Sequence, residues 1–301
     1  MRRIHRVALL LVFVLVGTGC NNVFPEPTAT PVTPTALPAS PTVNPVAPLS
    51  EGPDVRDPAA GEAGASNPTQ AALAAEGQPD QDLPTSTPQA TVAQLPIMVS
   101  VDDGLVLRGT FYGAAIRPAP GLLLLHDAGE ERTVWDALAT QLQAGGYSVM
   151  VVDLRGHGET GGRVDWAQAR RDARAALQLL ADMQGVNASR LGVIGAGVGA
   201  NLGLDACADT VGCAAAVLLS PGVDYAGITA ADAIARLGTR PVFIIASEND
   251  NNNPADSITL DGLASGDHQL VVLPAAGHGT TMLVQELGLS GIIVQWLISR
   301  I

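Results

Sequence analysis

Three short stretches of this chain carry residue types in an order that could do proton-transfer and nucleophilic chemistry. The first, Gly195-Ala-Gly-Val-Gly199, lies between the apolar run Leu191-Gly-Val-Ile194 and a helical pattern that begins at Ala200. The second is Ser247-Glu-Asn-Asp250 and the third Gly277-His-Gly-Thr280. An imidazole oriented by a carboxylate can take a proton from a hydroxyl or a water, and a glycine-rich turn lets a nucleophile stand clear of the backbone. The order turn, Asp, His is one in which such constellations occur. The turn itself fits two motifs. As the elbow Gly-x-Ser-x-Gly it has the right frame, but Gly197 stands where the serine would be. As the dinucleotide fingerprint Gly-x-Gly-x-x-Gly/Ala, positions Gly195, Gly197 and Ala200 match the spacing.

The elements that must position these residues decide between the two. Ile97-Met-Val-Ser-Val101 and Leu105 to Tyr112, joined at Asp102-Asp-Gly104, predict a β-hairpin. Gly121-Leu-Leu-Leu-Leu-His126 and Tyr147 to Asp153 are continuous apolar runs, as in strands buried on both faces of a parallel sheet. A helix is expected from Arg132 to Ala144, stopped by Gly145-Gly146, and a longer one from Asp165 to Met183. Strand Leu191 to Gly195 then enters the glycine turn. After the turn helix come strand Ala214 to Ser220, helix Ala230 to Leu237, strand Pro241 to Ser247, helix Pro254 to Leu263, strand His268 to Pro274 and a last helix through Trp296. Strict alternation after the hairpin predicts a mostly parallel sheet of about eight strands with helices on both faces. A dinucleotide domain would carry its fingerprint in the first strand-helix unit, with an acid at the end of the second strand. Here the glycines follow the fifth strand, and the first acid beyond the next one, Asp224, lies out in a loop.

The order of elements and the strand-end motifs resemble the α/β-hydrolase superfamily, over nearly all of residues 97–301. His126-Asp-Ala128 falls where that family places an oxyanion loop, without the glycine that commonly follows the histidine, and Asp153-Leu-Arg-Gly-His-Gly158 is similar to its loop after the fourth strand. The resemblance implies His278 as base, Asp250 as the acid orienting it, Gly197 as a degenerate nucleophile position, and the amides of Val198 and of Asp127 or Ala128 as oxyanion donors. Loss of the serine from a working triad costs about a millionfold in rate. If Asp250 and His278 remain oriented, serine at position 197 should restore acyl transfer. Ser220 and Thr280 lie at strand ends but outside the elbow, Glu248 is an alternative acid, Trp135, Trp166 and Trp296 read as helix-packing residues, and His157 as a loop residue. No motif for a cofactor and no cluster with metal-ligand spacing stands out.

Composition bounds the setting. The 301 residues include 16 basic ones, all Arg, against 29 acidic ones, a net charge of −13 that repels nucleic acid. Residues 1–19 have a basic start, an apolar run from Val7 to Val16 and Gly17-Thr-Gly19 before Cys20, the form of a signal peptide too short to span a bilayer. The segment resembles a bacterial lipoprotein signal, which implies acylation of Cys20 and anchoring to the cell membrane with the domain outside the cytoplasm. Residues 20–95 are dominated by Pro, Thr, Ala and Ser and predict a tether that buries no core, with the domain at 96–301. At ~3.1 Å per residue, roughly 75 residues would reach up to about 230 Å. With Cys20 acylated, Cys207 and Cys213 remain in an oxidising compartment as a disulfide or as two buried thiols.

Three functions follow from these residues. One is a surface-displayed pseudo-hydrolase that binds a small-molecule or protein ligand. Another is a hydrolase in which His278 and Asp250 activate water on a reactive ester or lactone. The third is a structural surface module with a filled pocket.

Overall fold

A computed structural model of the protein describes residues 94–251 and 253–301. The signal-like segment, Cys20 and the tether as far as residue 93 lie outside the described residues, and the last two positions expected in the tether, Gln94 and Leu95, belong to the first strand. An antiparallel hairpin, β1 (Gln94–Ser100) and β2 (Val106–Tyr112), opens the fold and begins three residues ahead of the expected strand. Strand β3 (Ala119–Leu125) leads through a 3-10 turn at Arg132–Trp135 into α1 (Asp136–Ala144), so the single helix expected there is split. Next come β4 (Ser148–Val152), α2 (Trp166–Asp182), β5 (Val186–Ala196), α3 (Val198–Ala208) and β6 (Cys213–Leu219). The two-residue strands β7 (Asp224–Tyr225) and β8 (Ile228–Thr229) form a separate small sheet ahead of α4 (Ala230–Leu237). The chain ends with β9 (Val242–Ser247), α5 (Asn253–Leu263), β10 (His268–Leu273), α6 (Thr281–Gln285) and α7 (Leu289–Ile298).

The main sheet has eight strands in the order β1-β2-β4-β3-β5-β6-β9-β10, parallel from β4 to β10. The apolar runs are explained by burial on both faces. Leu123 and Leu125 of β3 face a core formed with α2, α3 and α4, whereas Leu122 and Leu124 face a second core with α1, α6 and α7. Each such side chain contributes about 1.5–3 kcal/mol on full burial. Between the C-terminal ends of α3 and the start of β6, Cys207 and Cys213 form a disulfide across a separation of six residues.

Helix α3 runs beneath the centre of the sheet, and residues 198–207 are all buried. Its approach depends on glycine: a Cβ at Gly195 would overlap the Gly199 and Ala200 backbone, and one at Gly199 the backbone of Leu125 and His126. Its far end carries Asp205, a buried carboxylate that accepts from Arg170 and Arg174 of α2 and Arg236 of α4 at 2.6–2.8 Å. Burial would raise its carboxyl, but Arg170 and Arg174 bring it below the usual range.

Candidate functional site

The C-terminal ends of β3, β5, β6, β9 and β10 lie side by side, and each delivers one residue to a single cluster. At the end of β5 the chain turns at Gly197, φ 51° and ψ −121°, in a region hostile to residues with a Cβ. From β9 comes Asp250 and from the loop after β10 His278. Asp250 is buried and His278 half-buried. The His278 Nδ1 lies 2.8 Å from both Asp250 oxygens. Ser220, at the end of β6, donates its hydroxyl to Asp250 Oδ2 at 2.7 Å and accepts from the Gly279 amide at 2.9 Å. Ser220 thereby ties the acid to the histidine loop and does not face the elbow.

The fifth contribution is the side chain of Asp127, from the loop after β3. Its Oδ1 accepts from the Val198 amide at 2.9 Å, and its Oδ2 lies 2.8 Å from His278 Nε2. The carboxylate therefore fills the space in front of Gly197. A Cβ on Gly197 would collide with all three atoms of that carboxyl group. Two sequence expectations change as a result. Serine at position 197 has no room while Asp127 keeps this conformation. The expected oxyanion donors are also engaged: the Val198 amide by the Asp127 side chain, and the Asp127 amide by Glu130 Oε2 at 3.1 Å. A side chain stands where the sequence reading placed only a backbone amide. The missing glycine after His126 was the signal for it, combined with the missing Cβ at 197.

The Asp127 loop is fixed from three sides. Buried His126 accepts from the Leu154 amide at Nε2, 2.9 Å, so its Nδ1 carries the proton and donates to the Asp127 carbonyl at 2.7 Å. Burial pushes the His126 pKa down, which keeps this ring neutral. Glu130 links the Asp127 amide to the Thr280 hydroxyl, so the loops after β3 and β10 are cross-connected. The loop after β4 supports the same region: buried Asp153 accepts from the Arg132 amide at 2.7 Å and the Glu159 amide at 2.9 Å, and pairs with the Arg132 guanidinium.

An ionised carboxylate can only accept hydrogen bonds, so an imidazole between two of them must donate from both nitrogens. His278 is therefore an imidazolium held by Asp127 and Asp250. Its pKa is raised to about 9, chiefly by the hydrogen bond to Asp127, against the opposing effect of burial and with further help from Asp250. Burial would raise the Asp127 carboxyl, but hydrogen bonding from His278 and from the Val198 and Ala128 amides brings it below the usual carboxylate range. Tyr225 stands near both carboxylates, and burial together with their charge raises its hydroxyl. Glu248 is exposed and outside these contacts. His157 packs between the rings of His126 and Trp166, at 5.2 and 5.8 Å. Trp135 and Trp296 are buried in the core on the face of the sheet opposite α3. Among the described residues, no group of three or more His, Cys, Asp or Glu could hold a metal ion.

This architecture, with its turn after β5 and its Asp and His loops on the neighbouring strand ends, is the α/β-hydrolase fold. A family model described as Hydrolase_4, serine aminopeptidase S33, matches residues 117–240 and supports the same superfamily. The esterase Pf2001 of Pyrococcus furiosus superposes with a TM-score of 0.59 at 17% identity, over 69% of this chain and 91% of the esterase. Dienelactone hydrolase of Anabaena variabilis does so with a TM-score of 0.58 at 21% identity, over 69% and 98%. In sequence, an uncharacterized protein of Mycobacterium tuberculosis is 28% identical over 207 residues, covering 62% of this chain and 73% of that one.

Proposed function

We propose that this chain is a lipid-anchored, hydrolase-like protein displayed outside the cytoplasm, in which serine-based acyl transfer has been lost and the former site serves to bind a small molecule or a protein partner. One observation carries the reading: the Asp127 carboxylate lies in front of Gly197, on the Val198 amide and on His278 Nε2. The nucleophile is absent, the oxyanion amide is taken, and the histidine that would act as base already holds two protons. The same arrangement argues against resting His278 as a base for water on esters or lactones, because neither ring nitrogen is free. Anchoring is inferred from the sequence around Cys20, and no helix of the described residues is long and apolar enough to cross a membrane.

The test is labelling with a fluorophosphonate probe together with turnover of 4-nitrophenyl acetate. The folded protein should neither label nor exceed buffer hydrolysis. Covalent labelling, mapped to any serine and abolished in His278→Ala, would overturn the reading.

A further inference from the structure

We propose that the ligand of this protein is a single-chain alkylammonium compound, its hydrocarbon chain lying in an apolar hollow between α1 and α6 and its cationic head on Glu130. The inference rests on the reading above of a site that binds rather than reacts, and names the ligand class and the place it occupies.

The volume of the hollow, about 410 Å³, lies within the size range of small-molecule sites. Helix α1 and the 3-10 turn before it contribute Val134, Ala137 and Leu138 to its lining, and α6 contributes Leu283 and Val284. Val134 is 37% exposed and Val284 71%, apolar surface that a hydrocarbon chain would remove from water. Glu130 and Thr280 stand together in the same lining, joined by the hydrogen bond from the Thr280 hydroxyl to Glu130 Oε1. Nothing in this mode of binding needs access to the Asp127 carboxylate, which stays on the Val198 amide and His278.

Charge decides what the head must be. The neighbouring carboxylates each have a cation: Asp127 and Asp250 share His278, and Asp153 has Arg132. Half-buried Glu130 accepts from two neutral donors, the Asp127 amide at 3.1 Å and the Thr280 hydroxyl. Among the described residues, no Arg or His lies within ion-pair distance of it. A carboxylate offers about four acceptor sites, so each Glu130 oxygen keeps a lone pair for a further donor. An ammonium group supplies both that donor and the missing positive charge. The net charge of −13 attracts such a head, and it repels fatty anions and a second copy of the chain.

The experiment titrates the full chain with hexylamine, octylamine and decylamine near neutral pH by calorimetry, with octanol and octanoate for comparison. Affinity should rise about tenfold for each pair of added methylenes until the hollow is full. Octanol should bind about tenfold more weakly than octylamine, and octanoate not at all. The methyl resonances of Val134 and Val284 should shift on binding. Ala137→Trp, at an exposed position, fills the hollow and should abolish binding of every chain, whereas Glu130→Gln should reduce octylamine to the level of octanol. If Glu130→Gln fails to fold, the three head groups compared on the native protein still decide the role of charge. Octanoate binding as tightly as octylamine, affinity independent of chain length, binding retained in Ala137→Trp, or no binding at millimolar amine would each overturn the inference. So would a dimer that Val284→Glu dissociates, which would assign the hollow to a second copy. Those outcomes leave the serine-less reading standing, whereas fluorophosphonate labelling would undo that reading and leave the titrations as they are.

Discussion

Restoring a serine at the elbow tests the steric link between Gly197 and Asp127. The single variant Gly197→Ser must hold a Cβ at φ 51° and ψ −121°, a strain of roughly 1–3 kcal/mol. It must also expel the Asp127 carboxylate from the space that the Cβ requires, which breaks its hydrogen bonds to Val198 and His278. A hydrogen bond to a charged group is worth about 1.5–3 kcal/mol, so with two of them lost the total cost is about 4–9 kcal/mol. For a domain of this size that is a fall in Tm of about 8–36 °C. The double variant Gly197→Ser with Asp127→Gly keeps the strain but removes the collision. It also frees the Val198 amide and takes away the main cause of the raised His278 pKa, so the ring can serve as base. The double lacks the same hydrogen bonds and should therefore melt no lower than the serine single, so that the two losses are less than additive, a coupling expected only between residues in contact. It should also label with a fluorophosphonate and hydrolyse 4-nitrophenyl acetate, while the single labels far more slowly. Labelling of the single at the rate of the double, or additive losses of Tm, would refute the steric argument.

Four other outcomes follow. Because the His278 pKa is raised in the fold, its contribution to stability is complete below its unfolded value near 6.5 and should be lost as pH rises through about 9; Tm profiles of the native protein and Asp127→Asn should converge across that window. Ser220→Ala removes the hydroxyl between Asp250 and the Gly279 amide and should cost about 1–3 kcal/mol, read as a fall in Tm. Replacing Cys207 and Cys213 together by Ala opens a loop of six-residue separation and should cost about 2 kcal/mol by loop entropy, a Tm loss of roughly 4–8 °C. Cys20→Ala should release the protein from the membrane fraction of a lipoprotein-processing host or leave the precursor uncleaved, whereas unchanged partitioning would refute acylation.

The fold was legible because both-face burial makes parallel strands read as continuous apolar runs, as in β3 and β4, and because α2 has a clear Asp165 cap and a one-sided apolar stripe. Elements too short to have a period were not: β7, β8 and α6 are set by tertiary contacts, among them Asn201 of α3, which bonds the Gly222 and Ile228 carbonyls. At the site, strand-end motifs located Asp250 and His278 but not the role of Asp127. A side chain's conformation is decided by the room around it, and that room was created by a residue 70 positions away in sequence. The absent Cβ at Gly197 and the absent glycine at position 127 are two halves of one packing solution.

Helix α3 has a mechanical meaning. Its first residue carries the amide under Asp127, and its last full turn before the C-terminus carries Asp205, gripped by arginines from two other helices. A rod clamped at its far end and wedged against the sheet at Gly195 and Gly199 cannot slide to accommodate a visitor. The compliance of the site belongs instead to the loops after β3, β9 and β10, which can be shortened, lengthened or recharged while the turn at Gly197 stays where it is. A new specificity for this scaffold would be sought in the chain segments above the rod and never in the rod.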